Sequence, residues 1–223
     1  MTDAQALCGF KPPENFGDPD YQCRHPARQD GLCLFHLFKP TEEQKQAMAQ
    51  EARTAAEAIE EEFRQAFSKL LEDEEKNPEA EVCDFRYFRF PTIYLSKRRF
   101  AKPLRLQGAT FSGKADFWEA IFSGRADFGD ATFKRVSFWE VTFSVGANFV
   151  GATFKRVSFY GATFSGKAHF VGATFKHVSF YGATFSGKAT FQGETFKGVC
   201  LFMRVTLDER LELSLRKPKR KST

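Results

Sequence analysis

The chain has 223 residues, 42% of them hydrophobic, with 28 Phe, five Cys and a net charge of +5. That length holds one sizeable domain with small appendages. No apolar run approaches the 18 or so residues that cross a bilayer, the N-terminus lacks a basic-then-apolar secretory pattern, and five Cys fit reduced thiols better than a disulfide framework, so a soluble cytoplasmic protein is expected.

Residues 1–40 form the first unit. Cys8, Cys23 and Cys33 precede His36 in CLFH, a Cys-x14-Cys-x9-Cys-x2-His spacing. Three thiolates and an imidazole close a tetrahedral zinc shell, and the final C-x-x-H chelates from one turn. A segment this small has too little apolar matter to fold unaided, and zinc supplies the missing energy. His25 is the rival fourth ligand. A filled shell leaves no position for catalysis, so the zinc is read as structural.

Residues 41–82 read as an acidic amphipathic helix and linker. Thr41 followed by Glu42, Glu43 and Gln44 is a helix-start signal, and Asn77-Pro78 is a stop. Met48, Ala52, Ala55, Ile59, Phe63, Phe67 and Leu70 recur at three- and four-residue steps, giving an apolar stripe on a helix of about 35 residues. Residues 41–83 carry −8 and residues 84–207 carry +11. The stripe either covers the exposed strand edge of the repeat region that begins at residue 83 or pairs with a second copy in a homodimer. The acids could also lie along the basic region and neutralise it.

From 83 to 207 the chain repeats. The 21-residue segment VGATFKRVSFYGATFSGKAHF from Val150 returns from Val171 with two changes, Arg156 to His177 and His169 to Thr190. Within it Phe recurs every five or six residues, as at Phe133, Phe138, Phe143, Phe149, Phe154, Phe159, Phe164, Phe170, Phe175, Phe180, Phe185, Phe191 and Phe196, each except Phe196 two residues after a small apolar one. Backward the pattern reaches Phe117, Phe111, Leu106, Phe100, Leu95, Phe90 and Phe85; forward it reaches Leu201 and Leu207. Cys83 takes an inward small site and Cys200 aligns with Ser179. Four short units per period make a four-sided coil with Phe and the small residue inward and Thr, Ser, Asp or Asn outward. Six coils at about 4.8 Å each give a rod roughly 28 Å long.

The octapeptide GATFSGKA, present three times, approaches the nucleotide phosphate loop G-x-x-x-x-G-K-[ST]. Its last position is Ala115, Ala168 or Ala189, and no helix pattern comes after it, so it is read as repeat structure.

Units such as ADFGD, ATFKR, ANFVG and ATFSG resemble those of the pentapeptide-repeat family. The resemblance implies an all-β solenoid, a right-handed quadrilateral β-helix of about six coils. Phe in place of Leu, a six-residue unit closing most coils and the N-terminal Cys/His segment are similar to one branch of the family. Relatives that protect DNA gyrase are thought to mimic DNA through acidic faces; this basic rod departs from them.

Residues one period apart form ladders. One ladder is Lys134, Lys155, Lys176 and Lys197, beside Arg135, Arg156 and His177. A second is Trp118, Trp139, Tyr160, Tyr181 and Phe202, and a third adds Arg125, Lys167 and Lys188. An aromatic ladder flanked by cations is an interaction surface. The expectation is a non-enzymatic scaffold for a protein partner, with single-stranded nucleic acid as the alternative and no small-molecule substrate. Residues 208–223 read as a C-terminal cap and basic tail ending RKPKRK.

Overall fold

A computed structural model of the chain describes residues 50–193 and 195–207. The proposed zinc ligands, the predicted helix start at Thr41 and the tail after 207 lie outside the described residues. None of the described helices is long and apolar enough to cross a membrane.

The helix α1 spans Gln50–Lys76, with Lys76 favourably placed in its last turn. Asn77 still donates its N–H to Asp73 O at 2.9 Å. Pro78 then stops the winding, because the residue before a proline is pushed out of the helical region.

The chain next winds through six coils of four short faces, each strand pairing in parallel with its counterpart one coil away. The first face runs from Cys83–Asp84 to Ala189–Thr190 and the second from Arg89–Phe90 to Thr195–Phe196. The third runs from Ile93–Tyr94 to Cys200–Leu201 and the fourth from Arg99–Phe100 to Thr206–Leu207. In Thr110–Asp116 and Thr132–Ser137 the strand continues across the corner between the second and third faces. Two-residue strands suffice because corner N–H groups are also satisfied by the neighbouring coil, as in Phe159 N to Ser179 O at 2.7 Å and Gly161 N to Tyr181 O at 2.9 Å.

Alternation sends the central Phe and the preceding small residue inward, where four Phe columns fill the rod. Neighbouring rings stack at 4.5 Å between Phe111 and Phe133 and at 5.1 Å between Phe133 and Phe154. They stack at 5.0 Å between Phe138 and Phe159 and at 5.0 Å between Phe149 and Phe170. Phe122 and Phe128, which the five- and six-residue steps require between Phe117 and Phe133, are buried with them. Between the Phe columns of the middle coils the inward partner is Ala or Val, whereas the first coils place Cys83, Ile93 and Leu104 at equivalent sites.

The first coil is closed by α1. Phe63, Phe67 and Leu71 are buried, and the Phe67 ring lies 5.0 Å from both Phe85 and Phe90. Arg98 pairs with Glu75 at 3.2 Å, and Lys102 donates to the carbonyls of Glu74 and Asn77. Two expectations change. The buried row is i, i+4, i+8 through Leu71, with Leu70 partly buried and Ile59 47% exposed. The helix contacts the end of the rod, so its acids meet Arg98 of the first coil rather than running along the lysine ladder.

The last coil also differs from the expected register. Thr195 and Phe196 pair with Thr174 and Phe175, a step of 21, but Cys200 and Leu201 pair with Val178 and Ser179, a step of 22. The extra residue is absorbed around Gly198, whose φ is 95°. Cys200 therefore occupies the small inward site rather than the place of Ser179, and Leu201 faces outward. Phe202 turns inward and stacks 4.9 Å from Phe180. It is not part of the outward aromatic ladder. Phe196 and Leu207 stand on inward columns yet are 37% and 38% exposed, because they end those columns among the described residues.

Candidate functional site

The third face and its two flanking corners gather most of the ladder residues. The corners toward the fourth face are four-residue turns, closed by a hydrogen bond in the four middle coils, such as Ala162 N to Phe159 O at 3.1 Å and Ala120 N to Phe117 O at 3.0 Å. The turn's first middle residue is thrown outward, and that residue is Trp118, Trp139, Tyr160 or Tyr181. Its second middle residue has positive φ: Lys97 59°, Glu119 53°, Glu140 54°, Gly161 60°, Gly182 66° and Arg204 53°. This is the left-handed pattern of a type II turn.

The ring row is therefore fixed by backbone geometry. Trp118, Trp139 and Tyr160 are 38%, 47% and 39% exposed. Trp139 meets Tyr160 edge-on at 5.2 Å, and Tyr160 stacks on Tyr181 at 5.2 Å. Met203, not Phe202, succeeds Tyr181, since Gly182 N donates to Met203 O. The chain closes both ends of the row with its own cations: Lys97 Nζ lies 4.5 Å from the Trp118 ring centre and Arg204 lies 5.6 Å from that of Tyr181.

The opposite corner of the same face carries Lys134, Lys155, Lys176 and Lys197 with Arg135, Arg156 and His177. Lys155, Arg156, Lys176 and Lys197 are exposed. Lys114 and Arg135 are likewise exposed, but Lys114 is engaged by Asp116 at 2.8 Å. A depression of about 570 Å³ runs along this face, lined by Arg135, Arg156 and His177 and floored by Ser137, Ser158 and Ser179. The Ser158 and Ser179 hydroxyls accept the N–H groups of Tyr160 and Tyr181, each at 3.4 Å, so they brace the ring corner. His177 Nδ1 accepts from Val199 N at 3.4 Å.

Trp118, Trp139, Tyr160 and Tyr181, singled out from the sequence together with the lysine ladder, thus stand on two edges of one face. Arg125, Lys167 and Lys188 stand elsewhere, at the corner between the fourth and first faces. There burial, and then those three cations, hold the His169 imidazole below its usual value. Sequence reasoning missed Glu119 and Glu140. The signal was available: the ring units run WEA and WEV before YGA and YGA, so the left-handed position changes from Glu to Gly halfway along the row.

The arrangement can hold apolar or planar groups on the rings and anionic groups at the cationic edge about 13 Å away, four extended residues across. A family model of pentapeptide repeats (9 copies) matches residues 99–142 and 170–214, and another of pentapeptide repeats (8 copies) matches 145–166. Among solved structures, the plasmid-mediated fluoroquinolone resistance protein QnrB1 is 15% identical over 56% of this chain and 83% of its own, with a TM-score of 0.21. HetL, a pentapeptide repeat protein involved in heterocyst differentiation regulation from the cyanobacterium Nostoc, is 11% identical over 62% of this chain and 93% of its own, with a TM-score of 0.15. A search of curated proteins gives no match.

Proposed function

Because the chain belongs to the pentapeptide-repeat family, we propose that it is a non-enzymatic scaffold whose third face binds a protein partner. The observation that carries this reading is the unbroken row of rings, Trp118, Trp139 and Tyr160 exposed and Tyr181 half-buried, held by backbone turns beside a cationic edge. A contiguous exposed apolar strip marks an interaction site, and Trp, Tyr and Arg are the residue types that concentrate binding energy. Rigid corners also present these rings at little entropic cost.

Single-stranded nucleic acid is the second reading, favoured by Lys155, Arg156, Lys176 and Lys197, which could track a phosphate chain. Glu119 and Glu140 weigh against it. They share the ring corner and would repel the phosphates of any strand whose bases stacked there.

Affinity capture, then reconstitution with the purified partner, tests both. A protein retained by the wild type after nuclease treatment, and bound about tenfold or more weakly by Trp139→Ala/Tyr160→Ala, is expected, given that such ring truncations cost ~1.4 kcal/mol or more at an interface centre. Binding that disappears with nuclease and falls steeply with salt would hand the surface to nucleic acid.

A further inference from the structure

Along the ring corner one backbone relation recurs. The N–H of each left-handed residue donates to the carbonyl of the ring residue one coil on: Lys97 to Trp118 at 2.7 Å, Glu119 to Trp139 at 2.9 Å and Glu140 to Tyr160 at 2.7 Å. In the first case the result is visible within the chain itself. The Lys97 ammonium sits 4.5 Å from the Trp118 ring centre and 3.7 Å from the Glu119 carboxylate. One ring and one carboxylate together hold a cation.

One coil further the position of Lys97 is taken by Glu119. A carboxylate is repelled by the negative face of an indole, so it cannot fill the place the ammonium fills below. Trp139 is left as the most exposed ring of the row, at 47%, with a carboxylate on each side. Glu140 is exposed and has no ion pair among the described residues. Cations from this chain serve the two ends of the row, Lys97 at Trp118 and Arg204 at Tyr181. In the middle, Glu119 is shared with Lys97, while the Trp139 ring and the Glu140 carboxylate have no cation among the described residues.

We propose that Trp139, between Glu119 and Glu140, is the seat for an arginine or lysine side chain of the partner protein; this rests on the scaffold reading above. The indole face attracts a guanidinium or ammonium, Glu140 neutralises it, and Glu119, shared with Lys97, adds to the negative field. Across the face, Lys155 and Arg156 take carboxylates of the same partner. The complementary surface is therefore a protein segment of mixed charge, positive where it meets the rings and negative where it meets the lysine edge.

The chain has two Trp, so Trp118→Phe leaves Trp139 as its sole indole. Titrating that variant with N-acetylarginine amide, and with the uncharged isostere N-acetylcitrulline amide, reads the seat through Trp139 emission. A saturable change with the arginine compound alone is expected, with its midpoint raised about threefold or more when Glu119→Gln and Glu140→Gln are added. Equal responses to both compounds, or a midpoint indifferent to the two Gln changes, overturns the proposal. The scaffold reading fails separately. A partner lost by Trp139→Ala/Tyr160→Ala but held unchanged by Glu119→Gln/Glu140→Gln keeps the scaffold and removes the cation seat.

Discussion

Gly166 and Gly172 stand six residues apart, in successive repeats, and are held for different reasons. A Cβ on Gly166 would lie 1.6 Å from the carbonyl oxygen of Val145, a backbone atom of the coil below. A Cβ on Gly172 would find its nearest neighbour 4.0 Å away, but the residue has a φ of +68°. Gly166→Ala must therefore push two coils apart and should cost more than about 4 kcal/mol or prevent folding. Gly172→Ala bears the cost of the left-handed conformation alone, ~1–2 kcal/mol. Urea unfolding of the two variants checks this, and an inverted order would refute the account. The same division explains GATFSGKA. In the copy from Gly161, the first glycine makes a corner and the second lets coils touch, which is why the phosphate-loop likeness carries no chemistry. The helix-free sequence context made that much legible. The clash at Gly166 was not, because it depends on a residue 21 positions away.

For α1 the energetics reside in a few side chains. Phe67 is 3% exposed and packs on two rings of the first coil, whereas Ile59 is 47% exposed. Phe67→Ala should cost about 3–5 kcal/mol, and Ile59→Ala within about 0.5 kcal/mol, as read from chemical denaturation midpoints. Comparable losses at both would show the helix docked otherwise. The helix and its stripe were legible from three- and four-residue spacing. Which four-residue row faced the rod was not, since Leu70 and Leu71 fit the periodicity almost equally and the docking partner chooses Leu71. The strands show the same division. Period alone fixed their faces wherever the step stayed at 21. It misplaced Cys200, Leu201 and Phe202, because a single added residue near Gly198 reverses inside and outside for the residues after it.

Across the whole molecule the rod is a one-dimensional stack in which each coil is stabilised by its neighbours. Among the described residues its two ends are unequal. The first coil is covered by buried Phe63, Phe67 and Leu71, while Phe196, Phe202 and Leu207 of the last are 37%, 44% and 38% exposed. Amide hydrogen exchange should consequently be slowest in the middle coils and quicken toward 195–207. Uniform protection to Leu207 would contradict a rod that opens from that end. The four-sided stack, its core and two of its ladders could be foreseen because each rests on recurrence. The carboxylates at the ring corner could not, since they interrupt a recurrence of glycine, and an interruption reads as noise until the turn shows that Glu119 and Glu140 stand beside the rings.

Residues 150–170 and 171–191 differ at two positions only. Removing the first set would join Phe149 to Val171 and replace almost every lost neighbour with its duplicate, leaving both termini of the stack as they are. Span and end structure are thus independently heritable. The stack can therefore lengthen or shorten in increments of one turn, about 4.8 Å, without redesign of the fold.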